Sequence, residues 1–470
     1  MRKIALLLIA SAASAQTPAT DAKAYVKFDQ PTIVLNHVRV IDGTGAPAKA
    51  DQMIVIANGK IQSIEAAGAQ PPTGAQILDL SGDTVMPGIV GMHDHLYYPA
   101  PGRNIAMYPE HAWSFPRLYL AAGVTTIRTT GSVEPYTDLE LKKDIDRGKM
   151  PGPKMHITGP YLEGKGAYTP QMHELADADD ARRTVDYWIA EGVDNFKAYM
   201  NITRDELRTA AEEAHKHNLK ITGHLCSIGF REAAQIGIDD LEHGLVVDSE
   251  FAPGKQPDQC PAQKDIRDTL LKLEINGDPI QSMIKELVGH HVAVTSTLPV
   301  FEGFVPDRPV RQANLDAMLP EARQAYLGVR DNMQKNAAQS VWPALLKKEM
   351  EFEYSFAKAG GLLLAGLDPT GNGAVVAGYG DQREIELLVE AGFSPLDAIH
   401  IATYNGAKYL GELDHIGTLA PGKQADIVVI KGDPSSRISD VEKVELVFKD
   451  GVGYDPAKLV KDADGFVGLK

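Results

Sequence analysis

Gly88-Ile-Val-Gly-Met-His-Asp-His-Leu96 decides the fold. An apolar run passes into two histidines spaced two positions apart. Strand side chains repeat with period two, so His93 and His95 face the same way at the end of a buried strand and can bind one metal ion. Any further ligands have to come from elsewhere in the chain.

Outward from this stretch, short apolar runs alternate with amphipathic segments, the pattern of βα units around a parallel sheet. Runs at 88–95, 124–129, 154–158, 195–199, 220–224, 239–243, 292–297 and 362–368 read as strands. Eight is the number for a closed (β/α)8 TIM barrel, which carries its chemistry at the carboxyl ends of its strands. Thr203-Arg-Asp-Glu206 is a capping box opening a helix over 206–217. Ser394-Pro395 places an N-cap and an N1 proline before a helix over 396–410. The insert from Val246 to Pro279 falls on the active face, as a pocket wall or lid or as surface decoration.

Both chain ends are strand-like. Thr32 to Ile41, Met53 to Ile56 and Lys60 to Ile64 lie at one end, with Asn58-Gly59 as a two-residue hairpin turn. Ile427 to Ile430 and Val444 to Phe448 lie at the other. We expect an α/β protein with a barrel at 87–411 and a small β-sandwich built from 31–86 and 412–458. A linker at 16–30 and a tail at 459–470 complete the division.

The 470 residues, 44% apolar, suffice to bury a sizeable core. A net charge of −16 argues against nucleic acid and anionic membrane surfaces as partners. Met1-Arg-Lys3, the apolar run Ile4 to Ala10 and Ala13-Ser-Ala15 form a secretory signal peptide, with cleavage expected after Ala15 and a periplasmic or secreted product. That run is too short for a membrane-spanning helix, so no stable anchor is expected. Cys226 and Cys260 are the only cysteines. They read either as one bridge formed in an oxidising compartment or as two buried thiols. The sequence leaves open whether the chain forms a homo-oligomer.

Four histidines end predicted strands: His93 and His95 on the first, His224 on the fifth and His243 on the sixth. Lys197 lies on the fourth strand and Asp368 ends the eighth. A lone histidine in an apolar strand is usually a hydrogen-bonded core residue. Four at strand ends, with an aspartate in register, point to a metal centre. Nitrogen and carboxylate donors suit zinc first, then manganese, cobalt or iron.

This constellation resembles the binuclear form of the amidohydrolase superfamily. Gly417-Thr-Leu-Ala-Pro-Gly-Lys-Gln-Ala-Asp-Ile-Val428 is similar to it too. Glu384-Ile-Glu-Leu-Leu-Val-Glu-Ala-Gly-Phe-Ser-Pro395, Ala402-Thr-Tyr-Asn-Gly-Ala407 and Lys197-Ala-Tyr199 resemble its imidazolonepropionase-like branch, which includes metal-dependent Xaa-Pro dipeptidases (prolidases). The chain departs from the pattern twice. Thr129-Thr-Gly131 stands where relatives often carry an aspartate, and Leu367-Asp-Pro369 replaces a more usual Thr-Asp pair.

The resemblance implies that His93 and His95 hold a buried metal, that His224 and His243 hold a more exposed one, and that Lys197 bridges both as a CO₂-derived carbamate. It also implies that metals activate a water as hydroxide, with Asp368 as ligand and general base. Tyr199 could then donate to the developing oxyanion, or simply pack as a core or rim tyrosine. Tyr97 and Tyr98, just past the histidine pair, read either as pocket-lining residues or as rim tyrosines. The expected reaction is hydrolysis of an amide bond in a small substrate, such as an Xaa-Pro-like dipeptide or an N-acyl amino acid. Its rivals are the same site acting on a lactone, cyclic amide or phosphoester, and a non-catalytic metal-binding or solute-binding protein.

Overall fold

The computed structural model describes residues 21–100 and 106–468, so the proposed signal peptide at 1–15 lies outside the described residues. Two parallel sheets form the middle of the chain. One has three strands, Ile89–Asp94, Val124–Thr129 and Lys154–His156. The other has six: Thr158–Leu162, Asn195–Ala198, Lys220–Gly223, Asp240–Glu242, Ala293–Ser296 and Leu363–Ala365. The eight expected runs all appear, each within a few residues. The third is broken at Ile157 and continues to Leu162, and Ser132 N donating to Gly159 O (3.2 Å) ties the second sheet to the first across the break.

The last of these strands returns to the first. Asp368 N donates to His93 O at 3.0 Å. Gly366 lies so close to this backbone that an added Cβ would come within 2.4 Å of the His93 Cβ and 2.6 Å of its amide nitrogen. Only glycine permits that approach.

Strands from both ends of the chain join in one connected nine-stranded sheet. Thr32–Val40 explains the continuity. It pairs with Lys49–Ala57 on one edge, and on the other with Gln76–Asp79 along its first half and Asp83–Pro87 at its end. Its register shifts between Leu35 and Val38, where His37 adopts φ 58°. The Asn58-Gly59 hairpin forms with both φ angles positive, 52° and 77°, as a two-residue turn requires.

Two segments expected to be loose are structured. Within the expected linker, Val26–Phe28 pairs antiparallel with Val452–Tyr454. At the other end, the helix Pro456–Ala463 runs from the expected β domain into the expected tail and buries Leu459 and Ala463, and Leu319 N donates to the Val467 carbonyl at 2.8 Å. Their partners lie far away in sequence, so local composition does not reveal them.

Thr203 caps the helix Arg204–Lys216 as expected: Thr203 Oγ1 accepts from Glu206 N, and Glu206 Oε2 accepts from Thr203 N. Cys226 and Cys260 form a disulfide with Cα atoms 4.9 Å apart. Among the described residues, no helix is long and apolar enough to cross a membrane.

Candidate metal centre

Every residue of Ile89–Asp94 and the following His95 are buried, so the two imidazoles must find partners inside the protein. His93 and His95 do. His93 Nδ1 lies 2.5 Å from Glu242 Oε2, and His95 Nδ1 donates to the Gly131 carbonyl at 3.1 Å. Each ring therefore turns its Nε2 toward Asp368, 3.9 Å from a carboxylate oxygen in both cases. His243 Nδ1 lies 2.7 Å from Thr297 Oγ1 and 3.9 Å from Asp368 Oδ2. His224 follows Lys220–Gly223, and its ring centroid is 4.4 Å from that of His243. Lys197 Nζ reaches to 3.4 Å from His93 Nε2. All six predicted side chains thus meet at one end of the parallel strands.

Backbone geometry makes two of these placements possible. In an unbroken strand, Glu242 and His243 would face opposite ways. His243 instead adopts φ 67°, the left-handed region, so both side chains enter the same interior. Asp368 likewise has φ 48° and accepts a hydrogen bond from Thr370 Oγ1 at 2.7 Å.

Burial sets the charge states. Desolvation holds His93, His95 and His243 well below the usual histidine range, and His224 at about 3. These imidazoles are neutral, the form that ligates metals. Desolvation also lowers the Lys197 amine to about 8 and raises the Asp368 carboxyl to about 6. Among the described residues, no carboxylate lies within ion-pair distance of Lys197, which is 1% exposed.

Beneath the histidines lies a charged layer that sequence reasoning missed. Fully buried Arg128 donates through Nη2 to Asp240 Oδ2 at 2.7 Å and to Glu242 Oε1 at 3.0 Å, and through Nε to the Met92 carbonyl at 2.9 Å. Glu242 bridges this arginine and His93. The available signal was charge inside apolar strand runs: Arg128 in Val124–Thr129, and Asp240 two positions before Glu242.

Thr129-Thr-Gly131, the departure from the superfamily pattern, turns out to shape this floor. Gly131 has φ 87°, and a Cβ there would come within 2.7 Å of Tyr161 and 3.1 Å of Lys197. Its carbonyl, free of any side chain, orients His95.

The six side chains line a cavity of about 390 Å³ together with Tyr97, Tyr161 and Tyr199. Tyr97 stacks on His95 with ring centroids 4.4 Å apart and bonds Tyr161 through its hydroxyl. Tyr98 points elsewhere and donates to the Gly373 carbonyl. Tyr199 meets His224 edge-on at 5.1 Å, and burial holds its phenol well above its ordinary range, so it stays a donor. The cavity opens into a larger one of about 1080 Å³, which shares Tyr199, His224, His243 and Asp368 with it. Val246, Val247 and Gln263 line the outer cavity. The insert is therefore a pocket wall.

Residues 84–250 and 374–453 match the amidohydrolase family. The chain belongs to the amidohydrolase family. An allantoinase of Streptomyces avermitilis is 30% identical over 174 residues, covering 36% of this chain and 34% of that protein. This chain thus spans about a third of that relative's length. Among solved structures, an Xaa-Pro dipeptidase with bound methionine in its active site superposes with a TM-score of 0.68 at 19% identity, covering 90% of this chain and 100% of that one. A bottromycin amidohydrolase gives a TM-score of 0.69 at 21% identity, covering 92% and 88%. At such identities these likenesses establish the fold.

Proposed function

We propose that this amidohydrolase cleaves a C–N amide bond in a small substrate such as an Xaa-Pro-like dipeptide or an N-acyl amino acid. One observation carries the reading: three neutral imidazoles, His93, His95 and His243, converge on the carboxylate of Asp368 beside a buried lysine. Pure metal storage needs no general base beside its ligands, whereas hydrolysis does.

The donor set suits divalent metal. His93, His243 and Asp368 offer ligand atoms that all lie within 4.8 Å of one another. We assign His93, His95 and Asp368 to one ion and His224 and His243 to a second, with zinc the best match to nitrogen and carboxylate donors. Lys197, as a carbamate, would serve both. A carbamate is supported by the absence, among the described residues, of any carboxylate within ion-pair distance of Lys197, because a buried ammonium without such a partner is costly and the modification makes it an anion. Ions bound there would supply the charge that polarises a carbonyl and an attacking water. Asp368 takes the proton from that water and returns it to the leaving nitrogen. Tyr199 donates its hydroxyl where negative charge develops on the carbonyl oxygen.

The architecture in this reading is a (β/α)8 barrel, supported by the return of the last parallel strand to the first. Export to the periplasm or medium is part of the proposal. It is supported by the signal-peptide pattern and by a disulfide of the kind that persists in oxidising compartments. Mass spectrometry of the exported protein should find a mature chain beginning at Gln16.

The test of activity is metal analysis followed by hydrolysis of an Xaa-Pro and N-acyl amino acid panel before and after chelation. Turnover that survives chelation would overturn the proposal. Turnover confined to lactones or phosphoesters would reassign the electrophile.

A further inference from the structure

We infer that Arg267 is the carboxylate anchor of this protein, selecting substrates that present a free carboxylate and a large apolar side chain on the amine side of the scissile bond. The inference deepens the amide-hydrolase reading above and rests on it for the position of the scissile bond.

Arg267 lies on the helix Gln263–Leu270 within the insert, one turn after Gln263. Residues four apart share a helix face, and both side chains line the outer cavity. Ile266 and Leu270, at adjoining positions on the same helix, are buried and anchor it.

Among the described residues, Arg267 supplies the only guanidinium or ammonium in the lining of this cavity. Among the described residues, no carboxylate pairs with it. Its chain neighbour Asp268 bonds Lys264 instead. A planar fork of donors with no ion-pair partner among the described residues, on the same cavity wall as a cluster of aromatic rings, is matched to a carboxylate presented by a ligand.

The rest of the wall indicates what such a ligand carries. Phe304 stacks on Trp342 with ring centroids 4.6 Å apart, and Phe301 stacks on the same indole at 6.0 Å. Phe301 also meets His243 at 6.1 Å, so the aromatic surface runs from the metal centre outward. A ligand reaching from His243 and Asp368 into this space meets aromatic rings and one cation. An α-amino acid residue with a bulky apolar side chain and a free carboxylate satisfies both.

The position of Arg267 is held from the site itself. Cys226 stands two residues after His224 and is bonded to Cys260, three residues before Gln263. Gln263 Nε2 also contacts Cys226 Sγ at 3.8 Å. The helix bearing Arg267 is thereby tied to the loop that follows a candidate ligand.

The test compares the metal-loaded wild type with Arg267→Met and Arg267→Lys, using two readouts. The first is equilibrium binding of N-acetyl-L-phenylalanine and of its primary amide, which differ in charge but hardly in shape. The second is hydrolysis of N-acyl-phenylalanine and of its carboxamide. Wild type should prefer the acid in both. Arg267→Met should lose that preference by about 10-fold or more, as expected for removing a hydrogen bond to a charged group, and Arg267→Lys should restore part of it. Unaltered metal content and unaltered affinity for the amide would show that the fold survives. An acid preference that persists in Arg267→Met, or equal losses for acid and amide, would overturn the inference. Arg267-dependent binding of the acid without hydrolysis of any amide would sustain the anchor and overturn the hydrolase reading. Amide hydrolysis indifferent to Arg267 would do the reverse.

Discussion

His93 Nδ1 lies 2.5 Å from Glu242 Oε2, although the two residues come from strands 149 positions apart in sequence. The contact fixes which nitrogen of His93 faces the centre, and Arg128 holds the other carboxylate oxygen of Glu242 at 3.0 Å. An imidazole whose far nitrogen donates to a carboxylate is a more basic and better oriented ligand. Glu242→Gln should keep the shape and remove the charge. Metal affinity, read by chelator competition, should fall about 10- to 100-fold. Unchanged affinity would mean that Glu242 serves Arg128 alone.

Lys197 offers a test independent of substrate. If it carries CO₂, metal-free protein refilled with metal should recover activity faster with bicarbonate than without, and labelled bicarbonate should give a carbamate carbon signal by NMR. Lys197→Ala should lose both the signal and the second metal. Full two-metal occupancy in that variant would remove the bridging role.

Much of this centre is legible in the sequence because period-two alternation applies directly to His93 and His95. The runs ending at Lys197, His224 and Asp368 are apolar enough to locate their strands. Glu242 escapes such a reading because a regular strand assigns it and His243 to opposite faces, and only the left-handed turn at His243 brings both inside. Val26–Phe28 and Pro456–Ala463 escape because their partners are remote in the chain. Arg267 escapes for a similar reason: nothing in Gln263–Leu270 says which cavity its polar face meets.

In the proposed reaction Asp368 moves a proton as well as binding metal. Asp368→Asn keeps the size and one acceptor but cannot serve as base at neutral pH. Its kcat should fall by about 10²- to 10⁴-fold, the usual contribution of a positioned acid–base group. His93, His95 and His243 should still retain metal. If kcat were unchanged while metal was retained, another residue would have to be the base.

The Cys226–Cys260 bridge closes a loop spanning a sequence separation of 34. Replacing both cysteines with serine should lower stability by about 2–4 kcal/mol, the common range for such a crosslink. Denatured wild type should show no titratable thiol until it is reduced. Two thiols found before reduction would show that the bridge does not form.

Asp138 gives a pH dependence away from the metal centre. It is buried, its Oδ1 has no hydrogen-bond partner, and desolvation with the nearby charge of Glu134 raises its carboxyl to about 7, against an ordinary 3.8. Ser132 opposes the shift through a hydrogen bond, and Glu110, itself raised by burial and by Asp138, adds a second acid in the same place. The folded chain therefore binds this proton more tightly than the unfolded chain. The stability it contributes is complete below about pH 4 and is lost as pH rises through about 7. Asp138→Asn removes the proton from the balance while keeping the shape. Urea midpoints of wild type should fall more steeply between about pH 4 and pH 7 than those of the variant, with the gap widening over that window and levelling off above it. Parallel curves would mean that Asp138 is ionised in the folded protein throughout that range.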